Sequence, residues 1–320
     1  MQIYAAPMEG LTSYIYRNAH RAFFPGVDHY FTPFLTPTQN HVFSARELAE
    51  VRPENNVGIP LTPQLLTANA QDFLWAAGAL AEMGYAEVNL NLGCPAPMAV
   101  TRGKGAGMLA DLSALARFLD AIFSQTPVRI SIKTRIGLNR PEEFPALLAV
   151  FRQYPLAELI VHPRVQADQY GNHPRMPAFE QAASTGSLPL VYNGDLFSAA
   201  DCRAFEAHYP GTRAIMLGRG LIANPGLAAA VKGEPMLSGA LLKAFHDRLF
   251  QDYRRAMPGE RPLLFKMKAL WQYMKALFPT WPSFEKRFKK VNRSDVYLQI
   301  VNDLFDSGGI DSAGVFRPED

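Results

Sequence analysis

The sequence predicts an α/β protein, a TIM (β/α)8 barrel followed by a small all-helical C-terminal domain. Three observations carry that reading. Eight short β-branched or apolar runs alternate with longer segments of helical spacing over residues 1–235. Glycine and polar residues recur at the end of nearly every run, whereas a doubly wound sheet gathers its unusual residues near one switch point. After Pro235 the spacing is helical only.

In chain order the runs span residues 2–6, 29–33, 58–64, 87–92, 128–134, 158–162, 188–193 and 214–218. The second is the weakest strand, because Tyr30-Phe31-Thr32-Pro33 is short and ends in a residue with no N–H to pair. Helices are expected between runs, as at 69–83 and 198–208. There Asn69 and Ser198 place a short polar side chain where it can accept from the open N–H groups of a first turn. Beyond the barrel, 240–256 sets Leu241, Ala244, Phe245, Leu249 and Tyr253 on one face, and 263–277, 283–291 and 295–305 read as further helices. The expected division is a barrel at 1–235, a helical domain at 236–305 and an acidic tail at 306–320 without fixed structure.

Composition excludes several classes. The 320 residues are 48% hydrophobic and 19% charged, which is ample for a large core and too apolar for a disordered chain. The longest apolar stretch, 73–81, ends at Glu82, far short of the roughly 18 residues a membrane span requires. The first residues, Met1 to Pro7, have neither a basic region nor a long apolar one, so no signal peptide is expected. Cys94 and Cys202 are far apart with no Cys-x-x-Cys pattern, which argues against a disulfide framework and against a zinc site. A soluble, reduced, cytoplasmic protein without metal is expected.

The net charge of +3 is unevenly placed. Residues 1–238 hold 18 Lys and Arg against 19 Asp and Glu, while 239–305 hold 13 against 6, a net of +7. The last fifteen residues hold 1 against 4. A basic helical segment beside a neutral body favours a polyanionic partner, nucleic acid first; its plainer reading is a set of solvated helix faces.

A barrel works at the C-terminal ends of its strands, so the run ends are where chemistry is expected. They read Ala6-Pro7-Met8-Glu9-Gly10, Gln64, Asn91-Leu92-Gly93-Cys94-Pro95, Lys133-Thr134-Arg135, His162-Pro163-Arg164, Asn193-Gly194-Asp195 and Gly218-Arg219-Gly220. Glycine turns after the last two strands, finished by the Arg219 cation, suit a phosphate cradle. Lys133 lies amid Ile130, Ile132 and Ile136; an unpaired buried ammonium is costly or loses its proton, so it needs an anionic or electron-rich partner, and a reduced flavin is one. A lone histidine such as His162 near a strand end is more often a hydrogen-bonded structural residue than a catalytic one. Cys94 lies past its strand, between Gly93 and Pro95, before a loop with Gly103, Gly105 and Gly107 that can open and close over a substrate. Cys202 sits in a helix beside Ala199 and Phe205 and reads as core.

This ordered set, with Asn-Leu-Asn-Leu-Gly-Cys-Pro-Ala-Pro at 89–97, Ile-Lys-Thr-Arg-Ile-Gly at 132–137 and Val-His-Pro-Arg at 161–164, resembles the tRNA-dihydrouridine synthases from residue 5 to about 305. The resemblance implies FMN at the barrel mouth, NADPH or NADH as reductant, and reduction of a tRNA uridine to 5,6-dihydrouridine. It implies that Pro7, Met8 and Gln64 contact the isoalloxazine, Lys133 its pyrimidine end and His162 its side, with Glu9 a further cofactor contact. Asn193, Gly194, Asp195, Gly218 and Arg219 would hold the ribityl chain and phosphate. Hydride reaches C6 of uracil from flavin N5, and Cys94 as general acid gives a proton to C5; a thiol near its ordinary value is competent for this.

The target uridine must leave the folded RNA to reach a flavin. Asn91, Arg135, Arg164 and Tyr170 are the implied substrate contacts there. On the basic helices Lys266, Lys268, Lys275, Lys286, Arg287, Lys289, Lys290 and Arg293 would hold the RNA backbone. Partners are thus expected to be tRNA only, with no membrane, no obligatory protein partner, and a monomeric enzyme. Met98 stands where the family commonly has lysine, and Pro163 where glycine is frequent. Two other readings compete. A flavin barrel acting on free pyrimidines leaves the +7 segment without a purpose; a non-catalytic RNA-binding barrel would hold no flavin.

Overall fold

The computed structural model describes residues 1–235 and 237–318. Met236, at the expected domain boundary, and Glu319 and Asp320, in the expected tail, lie outside the described residues. Among the described residues nine strands are formed: β1 (Gln2–Ala5), β2 (His29–Phe31), β3 (Leu61–Thr62), β4 (Gln64–Leu65), β5 (Glu87–Leu92), β6 (Arg129–Arg135), β7 (Leu159–His162), β8 (Leu190–Tyr192) and β9 (Ala214–Leu217). They make one sheet in the order β3-β2-β1-β9-β8-β7-β6-β5-β4. Its end strands β3 and β4 are consecutive in the chain, so the sheet is a nearly closed parallel barrel of the TIM type.

Eight runs become nine strands because the third one, expected as a single strand over 58–64, changes partners at Pro63. Leu61 and Thr62 pair with Tyr30 and Phe31, whereas Gln64 and Leu65 pair with Asn89 and Leu90. Pro63 has no N–H to give, its carbonyl accepts from Asn89 N, and Gln64 N donates to Thr32 Oγ1 at 2.9 Å.

Strand alternation sorts the side chains. The register pairs Asn89 with Ser131, Asn91 with Lys133, Lys133 with Ile160, and Ile160 with Val191. Tyr4, Ala6, Phe31, Ile160, Val191, Ala214 and Met216 form one apolar cluster that fills the barrel. Lys133 shares this inward face, while Ile130 and Ile132 take the other, which is how a lysine survives in an isoleucine-rich strand.

Among the described residues the helices are α1 (Tyr14–Phe23), α2 (Ala45–Val51), α3 (Ala70–Glu82), α4 (Pro97–Thr101), α5 (Leu112–Gln125), α6 (Phe144–Phe151), α7 (Met176–Ser184), α8 (Ala199–His208), α9 (Arg219–Ala223), α10 (Leu227–Val231), α11 (Gly239–Ala256), α12 (Glu260–Met274), α13 (Trp281–Lys290) and α14 (Ser294–Asp306). Two N-caps fall where the sequence puts them. Asn69 Oδ1 accepts from Gln71 N and Asp72 N, and Ser198 Oγ accepts from Asp201 N while Asp201 accepts from Ser198 N. No helix of the described residues is long and apolar enough to cross a membrane.

The chain divides into two compact units. The first comprises Met1–Pro7, His29–Asp195 and Tyr209–Met216; the second comprises Met8–Asp28, Leu196–His208 and Leu217–Asp320. The second therefore includes α1 and α8 as well as the C-terminal helices. Phe24, just past the end of α1, meets Phe245 of α11 edge-on, with ring centres 5.0 Å apart.

The buried face of α11 is Leu242, Phe245, His246, Leu249, Phe250 and Tyr253, turned by one residue from the expected one, so Leu241 and Ala244 are exposed. The cause is His246. Its Nε2 meets Tyr297 Oη of α14 at 2.7 Å, and Trp271 Nε1 of α12 donates to the same oxygen at 2.8 Å. Three helices thereby share one buried polar junction whose members are all satisfied. After α14 the chain returns along this unit: Asp311 N donates to Leu277 O, and Phe316 packs on Phe197 and Tyr273. The tail expected to be without structure thus has defined contacts as far as Phe316.

Candidate active site

In the first unit the barrel interior changes from apolar to polar towards the strands' C-terminal ends. A ladder of amides begins there: Asn91 Nδ2 donates to Gln64 Oε1 at 2.7 Å, Gln64 Nε2 to Asn89 Oδ1 at 2.8 Å, and Asn89 Nδ2 to Ser131 Oγ at 3.0 Å. Each amide is thereby held in one orientation. Asn91 Oδ1 also accepts from Gly93 N and Cys94 N at 3.0 and 2.9 Å, so the end of β5 is bent into a turn that sets Cys94.

Cys94 is a half-buried free thiol, and Cys202 is a buried one that burial pushes up to about 12, the inert core residue expected. The glycine loop after Cys94 is folded rather than open: α4 is followed by a 3-10 turn, Gly105–Ala110, and Ala106 N donates to Cys94 O at 3.1 Å. Gly105 has φ +57°, and a Cβ there would lie 2.9 Å from Cys94 Cβ, so glycine is required for this approach.

Lys133 is half-buried, and among the described residues its ammonium has no hydrogen-bond partner. Burial lowers it to about 8, with the Arg135 charge adding to the shift and Cys94 opposing it. Arg135 itself is buried. It donates to Gly93 O, Val165 O and Gln169 O at 3.1, 2.7 and 2.6 Å, and its Cζ lies 5.6 Å from the centre of the exposed Tyr170 ring.

Arg164, only 1% exposed, donates through Nη1 to His162 Nε2 at 3.1 Å and to Asp195 Oδ1 at 2.9 Å, and through Nη2 to Asp195 Oδ2 at 2.5 Å. Its remaining donors reach Gly171 O and Asn172 O. Asn193 Nδ2 donates to Met216 O at 2.8 Å, and a Cβ at Gly194 would lie 2.4 Å from Tyr192 Oη. Cys94, Lys133 and His162, singled out from sequence, thus share the barrel's polar end. Asn91, Arg135 and Arg164, expected as substrate contacts, bond chiefly to the protein's own loops, and Asp195, expected at the phosphate, is paired with Arg164.

In the second unit, Met8 packs on the apolar core and its N–H donates to Thr12 Oγ1, while Glu9 is exposed. Gly218 caps the short α9, and Arg219 lies 5.3 Å from the Phe197 ring centre. Lys266 Nζ donates to Gly10 O at 2.8 Å, and Lys268 Nζ to the carbonyls of Lys289 and Val291 at the end of α13. Exposed Lys289 pairs with Glu285, Arg287 with Asp303 and Arg293 with Asp295; exposed Lys286 and Lys290 have no such partner among the described residues.

Residues 4–306 match the dihydrouridine synthase family. The chain belongs to that family. Members similar to it include the tRNA-dihydrouridine(16) synthase of Pseudomonas putida, 26% identical over 310 residues, covering 92% of this chain and 94% of that one. The tRNA-dihydrouridine(16) synthase of Cupriavidus necator is 27% identical over 243 residues, 72% of this chain and 74% of that one. Among solved structures, the old yellow enzyme from Trypanosoma cruzi has the same fold, with TM-score 0.53 at 11% identity over 72% of this chain and 88% of that one.

The sequence reading of this dihydrouridine synthase missed Asn89, Ser131, Asp168 and Arg175. Asn89 and Ser131 sit two residues before Asn91 and Lys133, a period-two signal readable once the strands are placed. Asp168 binds Arg175, accepts from Asn172 Nδ2 at 2.7 Å and from Val165 N at 3.0 Å, and is held down at about 2 chiefly by Arg175. It fixes the loop that presents Tyr170, and no local motif announces it.

Proposed function

We propose that this dihydrouridine synthase uses FMN and NADPH to reduce the C5=C6 bond of a specific uridine in tRNA, with Cys94 as the proton donor. The observation that carries the proposal is the set of oriented polar groups at the barrel mouth with the Lys133 ammonium, which has no hydrogen-bond partner among the described residues.

Those groups fit a flavin. Lys133 offers a positive charge to an electron-rich ring, and Asn91, its register partner on β5, orients the amide of Gln64 on β4. His162 receives a hydrogen bond from Arg164 on Nε2, so its own N–H is on Nδ1. Pro7, Asn193, Gly194 and Asp195 line the remaining strand ends of the first unit. The family resemblance also implies flavin contacts at Met8, Glu9, Gly218 and Arg219. When bound, FMN would supply the hydride that uridine C6 accepts, having been reduced by NADPH.

The chain's own residues supply orientation and the proton. Asn91 aims the Cys94 turn, so the thiol is held for transfer to C5. Tyr170, with Arg135 behind its ring, offers a face for an extruded base. The basic helices offer Lys286 and Lys290 to RNA phosphates. The relatives named for position 16 make that uridine the first to map. The test is anaerobic: flavin in the purified protein, bleached by NADPH, should be reoxidised by tRNA lacking dihydrouridine far faster than by free uridine. Equal rates with both would point to a small-molecule enzyme.

A further inference from the structure

Phe265 is the outlier of α12. Leu263, Leu264, Met267, Leu270, Trp271 and Met274 are at most 2% exposed, whereas Phe265 is 71% exposed. At 3.6 residues per turn it stands opposite that buried face, with Arg261 one turn before it and Lys268 and Gln272 on the turns after it. Arg261 and Gln272 are exposed, and Arg261 has no ion pair among the described residues.

The ring is held on a well-anchored platform. Lys266, its chain neighbour, is tied to Gly10 O, and Lys268 is tied to the carbonyl end of α13, the helix that carries Lys286 and Lys290. An isolated exposed phenyl on a protein surface is unremarkable by itself. One set among cations on the outer face of a helix in a segment of net charge +7 is suited to a polyanion with flat apolar faces, the description of an RNA strand with an accessible base.

We propose that Phe265 is a base-stacking contact for the RNA substrate on the outer face of α12, with Arg261 on an adjacent phosphate. This rests on the tRNA reading above, and the two can fail separately. The experiment measures binding of an unmodified tRNA transcript to the full-length protein across a salt series. Phe265→Ala weakens binding roughly 5- to 100-fold while the slope of log affinity against log salt is unchanged, because losing a stacked ring releases no fewer counterions. Arg261→Ala lowers that slope by about 1, and Phe265→Trp restores affinity, with its added indole fluorescence quenched by RNA.

Heparin has no bases, and Phe265→Ala binds it as well as the parent does. Wild-type affinity in Phe265→Ala, or an equal loss for heparin and tRNA, overturns the stacking contact. A parent protein that binds no tRNA overturns instead the reading on which it rests.

Discussion

Arg164 hydrogen-bonds His162 and Asp195 at once, at 3.1 Å to His162 Nε2 and 2.9 and 2.5 Å to the two Asp195 oxygens. A guanidinium only donates, so the contact fixes which imidazole nitrogen accepts, and the carboxylate fixes the guanidinium. Asp195→Asn leaves a buried cation short of its charge partner and is expected to cost about 3 kcal/mol of stability. Urea unfolding measures it; an unchanged midpoint with an unchanged slope would contradict this role.

Lys133 titrates at about 8, so its charge is present below that pH and lost above it. Affinity of the flavin-free protein for FMN should therefore fall as pH rises through 8, by up to about tenfold per unit. Lys133→Arg stays charged and should flatten the profile. Flavin fluorescence quenching from pH 7 to 9.5 distinguishes the two, and the same slope in both proteins would exclude Lys133 as the cause.

Much of this arrangement was legible in the sequence, and the exceptions share a cause. Strands, the N-caps at Asn69 and Ser198, and the positions of Cys94, Lys133 and His162 at strand ends follow from local period and from residue types at run ends. What escaped depends on which segments meet. The Asn89–Ser131 rung needs the β5–β6 register, the strand break at Pro63 needs both neighbours, and the inward turn of His246 needs Tyr297 fifty-one residues away. Net charge sets the helices after Pro235 apart as basic, yet Lys266 and Lys268 bond to backbone carbonyls, which composition cannot reveal.

That distinction orders the lysines. Lys286 and Lys290 are exposed and have no ion pair among the described residues, while Lys289 is paired with Glu285. Lys286→Ala with Lys290→Ala should weaken tRNA binding and reduce its salt slope by about 2, with flavin reduction by NADPH unaffected. A matching loss in flavin reduction would mean that the substitutions damage the enzyme generally.

His20 predicts an acid sensitivity. Its buried ring donates to Pro225 O at 3.0 Å, and burial lowers it from 6.5 to about 4. Between those values the unfolded chain binds a proton that the folded one does not. The stability it confers is therefore complete above about pH 6.5 and is lost as pH falls towards 4, by about 3 kcal/mol at most. His20→Gln should lose less stability than the parent between pH 7 and 4.5 in urea titrations. An equal loss in both would assign the sensitivity to other groups.

The most direct test of the assignment is nucleoside mass spectrometry of tRNA from cells lacking dihydrouridine, after incubation with the purified protein, FMN and NADPH, beside Cys94→Ala. A gain of two mass units on uridine with the parent, and little or none with a variant that still binds FMN and oxidises NADPH, is the predicted result. Equal dihydrouridine from both proteins would contradict Cys94 as the proton donor, and none from either, with flavin bound and reduced, would contradict tRNA uridine as the substrate.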